Sequence, residues 1–430
     1  MPTLSRLNSD ENSSVFEWAE FFAGGGMARA GFGPGWRCVF SNDNDMLKAS
    51  TYRDNWSADH FVYSDIQNVS PGQVPDNLML AWASSPCQNF SSAGAGDGLL
   101  GESSSVFTKW WDLIVSKADT NTSPNIIVLE NVIGLLRSRG GLDFEAISQS
   151  FVECGYVFGV TVIDAVIFLP QSRPRIFFVA IKSDVVFPDS LQSNCPIPLW
   201  HPPQLVKAVE SLPADLRDRH IWWRMPERVT RTTSLVDFLC RDNERISWHT
   251  QVQTSKLLES MTPVNLKKIR LAQETGDPIV GTLYRRMRLI DGINKSRAEV
   301  RFDGVAGCFR ASDGGSSRQM LLQVEGECVR TRQITPRESA RLMGLPDTYK
   351  LPQLKTHAVK LVGDGVAVPV VKFLEQHLLR PLACAAALRS EFNLFAPTSA
   401  AAPFVSGCGV QNSGPGESNP VSIHPMVSHG

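Results

Sequence analysis

The sequence predicts an α/β protein in which a doubly wound, mostly parallel sheet is joined to a second, irregular domain. Three observations lead there. From Val15 to Lys182, strand-like apolar runs alternate with helix-like segments, the pattern of parallel strands linked by crossover helices. A glycine turn, Ala23-Gly24-Gly25-Gly26, follows the first of these runs, at the strand end where such sheets bind ligands. The alternation stops at about Ser183, and the chain from there to Val329 is rich in Pro, Arg, Trp and Gly.

Strands are expected at 15–23, 37–41, 78–83, 126–129, 157–163 and 176–181, each an apolar run of sheet-crossing length. Helices are expected between them at 26–31, 46–55, 104–117 and 144–154. The segment 183–329 carries Trp200, Trp222-Trp223, Trp248 and the run Tyr284-Arg285-Arg286-Met287-Arg288, a mixture that suits surface recognition better than core building. A helix restarts at Thr335-Pro336-Arg337-Glu338, with threonine as cap, proline first and glutamate three residues on, as in a capping box. Gly363 to Val371 leads into a last helix to about Leu379, so 330–382 is expected to return to the sheet domain of 15–182. Residues 1–14 read as a polar arm, and 396–430, rich in Ala, Ser, Gly and Pro, as a disordered tail.

The 430 residues carry 42 Lys/Arg and 43 Asp/Glu, but Lys207–Leu345 holds 24 of the bases against 17 of the acids. That imbalance suggests a basic half that meets nucleic acid beside an acidic half, with ordinary surface variation as the alternative. Nine cysteines without a CxxC pair argue against a disulfide framework and against a metal site. No run approaches the ~20 apolar residues of a membrane span, and Met1 to Ser14 lacks a signal-peptide core. A reducing, intracellular location without membrane contact is expected.

Chemistry concentrates at three strand ends. The run Leu78 to Ala83 ends in Ser84-Ser85-Pro86-Cys87-Gln88-Asn89-Phe90-Ser91, which delivers a thiol on a tight turn where a nucleophile would sit. Alone, a cysteine packs as readily as a small hydrophobe. The strand at 126–129 ends in Glu130-Asn131-Val132, so a carboxylate joins the thiol and the glycine turn.

Taken with Gln171-Ser172-Arg173-Pro174-Arg175, Arg332 to Leu342 and Gly363 to Val371, these motifs in this order resemble the DNA (cytosine-5)-methyltransferase family of prokaryotic type. The resemblance spans roughly residues 16–380 and implies a Rossmann-like, S-adenosylmethionine-dependent fold, with 183–329 as the target-recognition domain. It implies Cys87 as nucleophile, Glu130 as the acid at N3 of cytosine, and Arg173 and Arg175 as the catalytic arginines. The residues alone leave open which arginine faces the base; the resemblance favours Arg175. The chemistry is consistent with these types. Carbon 5 of cytosine accepts a methyl group only once a thiolate has added at carbon 6, and the charge this puts into the ring needs a protonated donor.

For S-adenosylmethionine, the resemblance implies Phe22, Ala23, Gly24 and Gly26 in the turn, Asp43 with Asn44 at the ribose, and Asp65 with Ile66 at the adenine. Pro86, Val106, Asp364 and Val366 complete that set. A lone strand-end aspartate such as Asp65 otherwise caps a turn. For double-stranded DNA it implies Gln88, Ser91, Arg310, Gly314, Gly315 and Arg318. A monomer in the bacterial cytoplasm, associated with the nucleoid and partnered by a cognate restriction endonuclease, completes the expectation. Departures from the family are Ser84-Ser85 before Pro86, Ser103 where arginine is common, and Asp364 in place of asparagine. A tRNA cytosine-5 methyltransferase and a catalytically silent DNA-binding regulator are the alternatives.

Overall fold

Seven strands form the central sheet of the computed structural model, which describes residues 15–56, 59–86, 105–240, 246–290, 292–309 and 318–395. They are β1 (Phe16–Phe21), β2 (Trp36–Asp43), β3 (Phe61–Tyr63), β4 (Leu80–Ser84), β5 (Ile126–Val132), β6 (Tyr156–Asp164) and β7 (Pro174–Lys182), in the order β3-β2-β1-β4-β5-β7-β6. Pairing is parallel except at β7, which runs antiparallel to both β5 and β6. The order reverses between β1 and β4, so the crevice at their carboxyl ends is the expected ligand site of an open sheet.

Strand periodicity explains the two-sided core. Along β4, Leu80 and Trp82 face one layer with Trp18, Val128 and Val179, while Ala81 and Ala83 face the other with Phe21, Leu129 and Phe178. Helices α1 (Met46–Asn55), α2 (Ser105–Asp119) and α3 (Leu142–Glu153) stand where the sequence places them. The expected helix at 26–31 is only a 3₁₀ turn at Arg29–Gly31, where Gly31 lies close against Val371.

The boundary at 183 is corrected by the structure. Residues 183–225 pack on the central sheet through β8 (Gln192–Ser193), α4 (Pro203–Glu210), α5 (Ala214–Arg217) and β9 (Trp222–Trp223). Trp200 and Trp223 are core residues rather than recognition aromatics. Their indoles are fully buried and donate to the Met225 and Val179 carbonyls, at 3.2 Å each. This satisfies the N–H that would otherwise keep a tryptophan near water.

The second domain carries a small sheet of its own. Helices α6 (Gln251–Glu259) and α7 (Pro263–Glu274) precede four antiparallel strands, β10 (Ile279–Ile290), β11 (Ile293–Arg301), β12 (Met320–Glu325) and β13 (Cys328–Gln333), ordered β11-β10-β12-β13. Leu283, Ala298, Leu322 and Val324 face the helices with Met261 and Ile269. Leu321 faces the opposite way, onto Ala306, Phe309 and Leu342.

The chain returns through α8 (Pro336–Arg341), α9 (Lys355–Asp364), α10 (Val368–Leu374) and α11 (Arg380–Phe395). The capping box at α8 forms, and Glu338 also holds Arg332 in a buried two-pronged pair at 2.6 and 2.7 Å. Leu382, Ala383 and Ala386 lie in the main core, so this unit extends beyond 382. No described helix is long and apolar enough to cross a membrane.

Candidate active site

The glycine turn is wound tightly against its neighbours. Phe22 and Gly24 both take left-handed backbone, with φ of 55° and 57°; only glycine does so without steric cost, so Phe22 is a strained position at the strand end. Gly25 has no room for a side chain, since its Cβ would fall 2.3 Å from the Tyr349 hydroxyl, which donates to the Gly25 carbonyl. At the end of β2, Asp43 accepts from the Gly24 and Asp45 backbone N–H groups, both at 2.8 Å. Burial pushes its carboxyl up in pKa despite Lys48 and these two bonds.

Asn44 is exposed beside Asp43, and its amide lies 3.4 Å from Asp65. Asp65 caps the 3₁₀ turn Ile66–Asn68 by accepting from Gln67 N–H, and Ile66 is buried beneath it. Val366 is buried and Val106 half-buried, whereas Asp364 is exposed and paired with Lys48 at 2.8 Å. Among the described residues no group of His, Cys, Asp or Glu is arranged to hold a metal ion.

Glu20, in β1 beneath the glycine turn, was not singled out from the sequence. Its carboxyl is buried, accepts from the Ala28 and Arg29 backbone, and is pushed up to a pKa of about 8 by desolvation. One oxygen, Oε2, has no hydrogen-bond partner. A buried polar atom left so costs about 1–3 kcal/mol. The available signal was an acid flanked by apolar residues at the end of the strand that leads into the glycine turn.

On the other side of the crevice, Glu130 and Arg175 meet. Register pairs Ser84 of β4 with Glu130 of β5, and Val132 with Arg175 of β7. Arg175 Nε lies 3.1 Å from Glu130 Oε1. Glu130 is buried, and desolvation raises its carboxyl pKa against the opposing pull of Arg175, Arg173 and the Ser84 hydroxyl. Asn131 donates to the Ser85 carbonyl at 3.4 Å, tying β5 to the turn that leads through Pro86.

Arg173 is turned elsewhere. Its guanidinium donates to the carbonyls of Phe309 at 2.8 Å, Gly363 at 2.8 Å and Gly365 at 2.6 Å, and to Cys308 Sγ at 3.3 Å. It thus bolts the second domain and the end of α9 to the start of β7. Cys87, Gln88, Ser91, Arg310, Gly314 and Gly315 lie outside the described residues, as does Ser103. Arg318 is half-buried just before β12.

The strand order, with the glycine turn at the switch point, is that of a Rossmann-like fold of the kind methyltransferases use. The chain belongs to the C-5 cytosine-specific DNA methylase family, whose model matches residues 16–380, and is a DNA (cytosine-5-)-methyltransferase. It is 24% identical over 375 residues to the Type II methyltransferase M.HhaI of Haemophilus parahaemolyticus, covering 86% of this chain and 96% of that protein. It is 26% identical over 375 residues to the Type II methyltransferase M.Bsp6I of Bacillus sp. (strain RFL6), covering 86% and 100%. In fold it is similar to the S. pombe Dnmt2 methyltransferase, with a TM-score of 0.52, 18% identity, and 85% and 99% of the two chains covered. The Entamoeba histolytica methyltransferase EhMeth gives 0.53 and 15%, with 85% and 97% covered.

Proposed function

We propose that this protein methylates carbon 5 of a cytosine flipped out of a specific duplex DNA sequence, through a covalent bond between Cys87 and carbon 6. The observation that carries this is the buried, pKa-raised Glu130 beside Arg175, one strand from the turn that leads into Cys87. The Cys87 thiolate adds to carbon 6, and the electron pair displaced toward N3 is met by the proton on Glu130. Arg175 orients Glu130 and faces the O2 side of the base, while Arg173 acts as a positioning residue. Carbon 5, now nucleophilic, takes the methyl group; loss of its proton and departure of the thiolate then restore the ring. When bound, S-adenosylmethionine supplies that electrophilic methyl group.

Its site is formed by Phe22, Ala23, Gly24 and Gly26, with Glu20 facing the amine, Asp43 and Asn44 the ribose, and Asp65 and Ile66 the adenine. Pro86, Val106, Asp364 and Val366 complete the wall. Flipping costs a few kcal/mol, offset by contacts from Gln88, Ser91, Arg310, Gly314, Gly315 and Arg318. The protein acts as a monomer in the bacterial cytoplasm, at the nucleoid, and its Type II relatives point to a cognate restriction endonuclease of the same specificity. Incubation of plasmid DNA with labelled S-adenosylmethionine, followed by bisulfite sequencing, tests the reading. Methylcytosine at one recurrent sequence is expected. Label on tRNA but not on DNA, or on neither, overturns it.

A further inference from the structure

The carbonyl of Gly25, inside the glycine turn, is held by two side chains at once. Tyr349 donates its hydroxyl to that oxygen at 2.8 Å and Trp56 its indole N–H at 3.0 Å, so both lone pairs are engaged. The N–H of the same peptide unit, on Gly26, donates to the Ala23 carbonyl at 2.8 Å. Rotating that unit would break all of these bonds together.

Neither clamp belongs to the turn by sequence. Trp56 caps the end of α1, and Tyr349 follows α8, 324 residues along the chain from Gly25. Their two segments are tied to each other, since Asn55 donates to the Lys350 carbonyl at 2.9 Å and accepts from the Lys350 N–H at 2.8 Å. Arg337 of α8 donates to the Tyr349 carbonyl at 2.9 Å and so fastens the tyrosine from its backbone. The Arg29 guanidinium lies 5.0 Å from the centre of the Trp56 ring and holds the indole in turn.

Contact between rings and backbone is close. A Cβ on Gly26 would fall 2.2 Å from the Trp56 indole nitrogen, just as one on Gly25 would strike the Tyr349 hydroxyl. Tyr349 is buried, and that burial, helped by the nearby Glu20, pushes its hydroxyl up in pKa, which keeps it a donor at neutral pH. The turn so held includes the strained Phe22, and an unclamped turn would relax away from its present shape. Affinity falls in proportion to the fraction of molecules whose site is already formed.

We propose that Tyr349 and Trp56 are positioning residues that set the affinity for S-adenosylmethionine, acting through the Gly25 carbonyl rather than by contact with the cofactor. The inference rests on the reading above that S-adenosylmethionine binds at this turn.

The test compares full-length Tyr349→Phe and Trp56→Phe with Tyr156→Phe. Tyr156 is an equivalent donor far from the turn: its buried hydroxyl bonds the Pro124 carbonyl at 2.7 Å, at the amino end of β6. All three changes remove one donor to a backbone carbonyl and should lower the melting temperature by similar amounts. Calorimetry with S-adenosylmethionine is expected to give a Kd raised about fivefold or more in Tyr349→Phe and in Trp56→Phe, and a wild-type Kd in Tyr156→Phe. On plasmid DNA the KM for the cofactor should rise in step, with kcat at saturating cofactor within about twofold of wild type. Either turn variant decides the matter if the other fails to fold. Wild-type Kd in the turn variants, or a Kd raised equally in all three, overturns the positioning role and leaves the proposed function standing. A fall in kcat with unchanged KM overturns it as well, because the lost interaction is then one made only in the transition state. Wild-type protein that binds S-adenosylmethionine but methylates no DNA overturns the proposed function, and the calorimetric comparison still decides the inference. Wild-type protein that binds no S-adenosylmethionine overturns both.

Discussion

Lys48 Nζ lies 2.8 Å from a carboxylate oxygen of Asp364, joining the first turn of α1 to the end of α9. Asp43 and Asp45 also draw on the same ammonium, which together with Asp364 hold its pKa above the ordinary lysine value. An aspartate at 364, where asparagine is usual, thus comes with its own counter-cation. Lys48→Met is expected to leave Asp43, Asp45 and Asp364 without their shared cation and to weaken S-adenosylmethionine binding about tenfold or more, with duplex affinity unchanged. Calorimetry showing wild-type cofactor affinity in that variant would reject the compensating role.

The two arginines of the Gln171–Arg175 segment are separable by experiment. Arg173→Ala removes the donors to three backbone carbonyls, so a loss of about 2–4 kcal/mol and a marked fall in melting temperature are expected. Arg175→Ala should lower kcat by about a hundredfold or more while costing much less stability, because it withdraws one partner from Glu130. If melting curves and kcat rank the two variants the other way round, the roles are reversed.

What the sequence made legible follows burial. The long strands β4 to β7 announce themselves because both faces are covered, and only continuous apolar runs satisfy that. Strand β3, three residues long, gives no such signal. The outer half of β10 was opaque for the opposite reason: Arg285, Arg286 and Arg288 bury no core, so their run reads as loop. Trp200 and Trp223 were misplaced because an indole's burial depends on distant carbonyls that supply its partner. Glu20 and Lys48 were missed at the site itself, since each acquires meaning only from chain neighbours brought together by the fold.

Glu20 links stability to pH with a definite sign. Its folded carboxyl titrates at about 8, above the ordinary value of 4.5, so across that window the folded state keeps a proton that the unfolded state has lost. Stability of the ligand-free protein therefore falls as pH rises from 4.5 toward 8. Glu20→Gln should remove most of that slope and stabilise the ligand-free protein at pH 8 by on the order of 2 kcal/mol, while weakening S-adenosylmethionine binding. Denaturant titrations at pH 5 and 8 check this; an unaltered slope in the variant rejects the assignment.

The thiol itself is testable through a substrate that cannot complete the reaction. Once Cys87 has added to carbon 6 and carbon 5 has taken the methyl group, the bond to sulfur breaks only after a proton leaves carbon 5. Fluorine at that position cannot depart as a cation, so the protein stays bonded to the base. Duplex DNA with 5-fluorocytosine in the recognition sequence, incubated with protein and S-adenosylmethionine, is expected to give a complex that survives denaturing electrophoresis. The complex should map by mass spectrometry to the peptide containing Pro86-Cys87-Gln88. It should require the cofactor and disappear in Cys87→Ser, whose alcohol has too high a pKa to add at neutral pH and whose turnover should fall below about a thousandth of wild type. Cofactor and duplex affinities should survive that change. Active protein that forms no such adduct, or forms it through another residue, rules out Cys87 as the nucleophile.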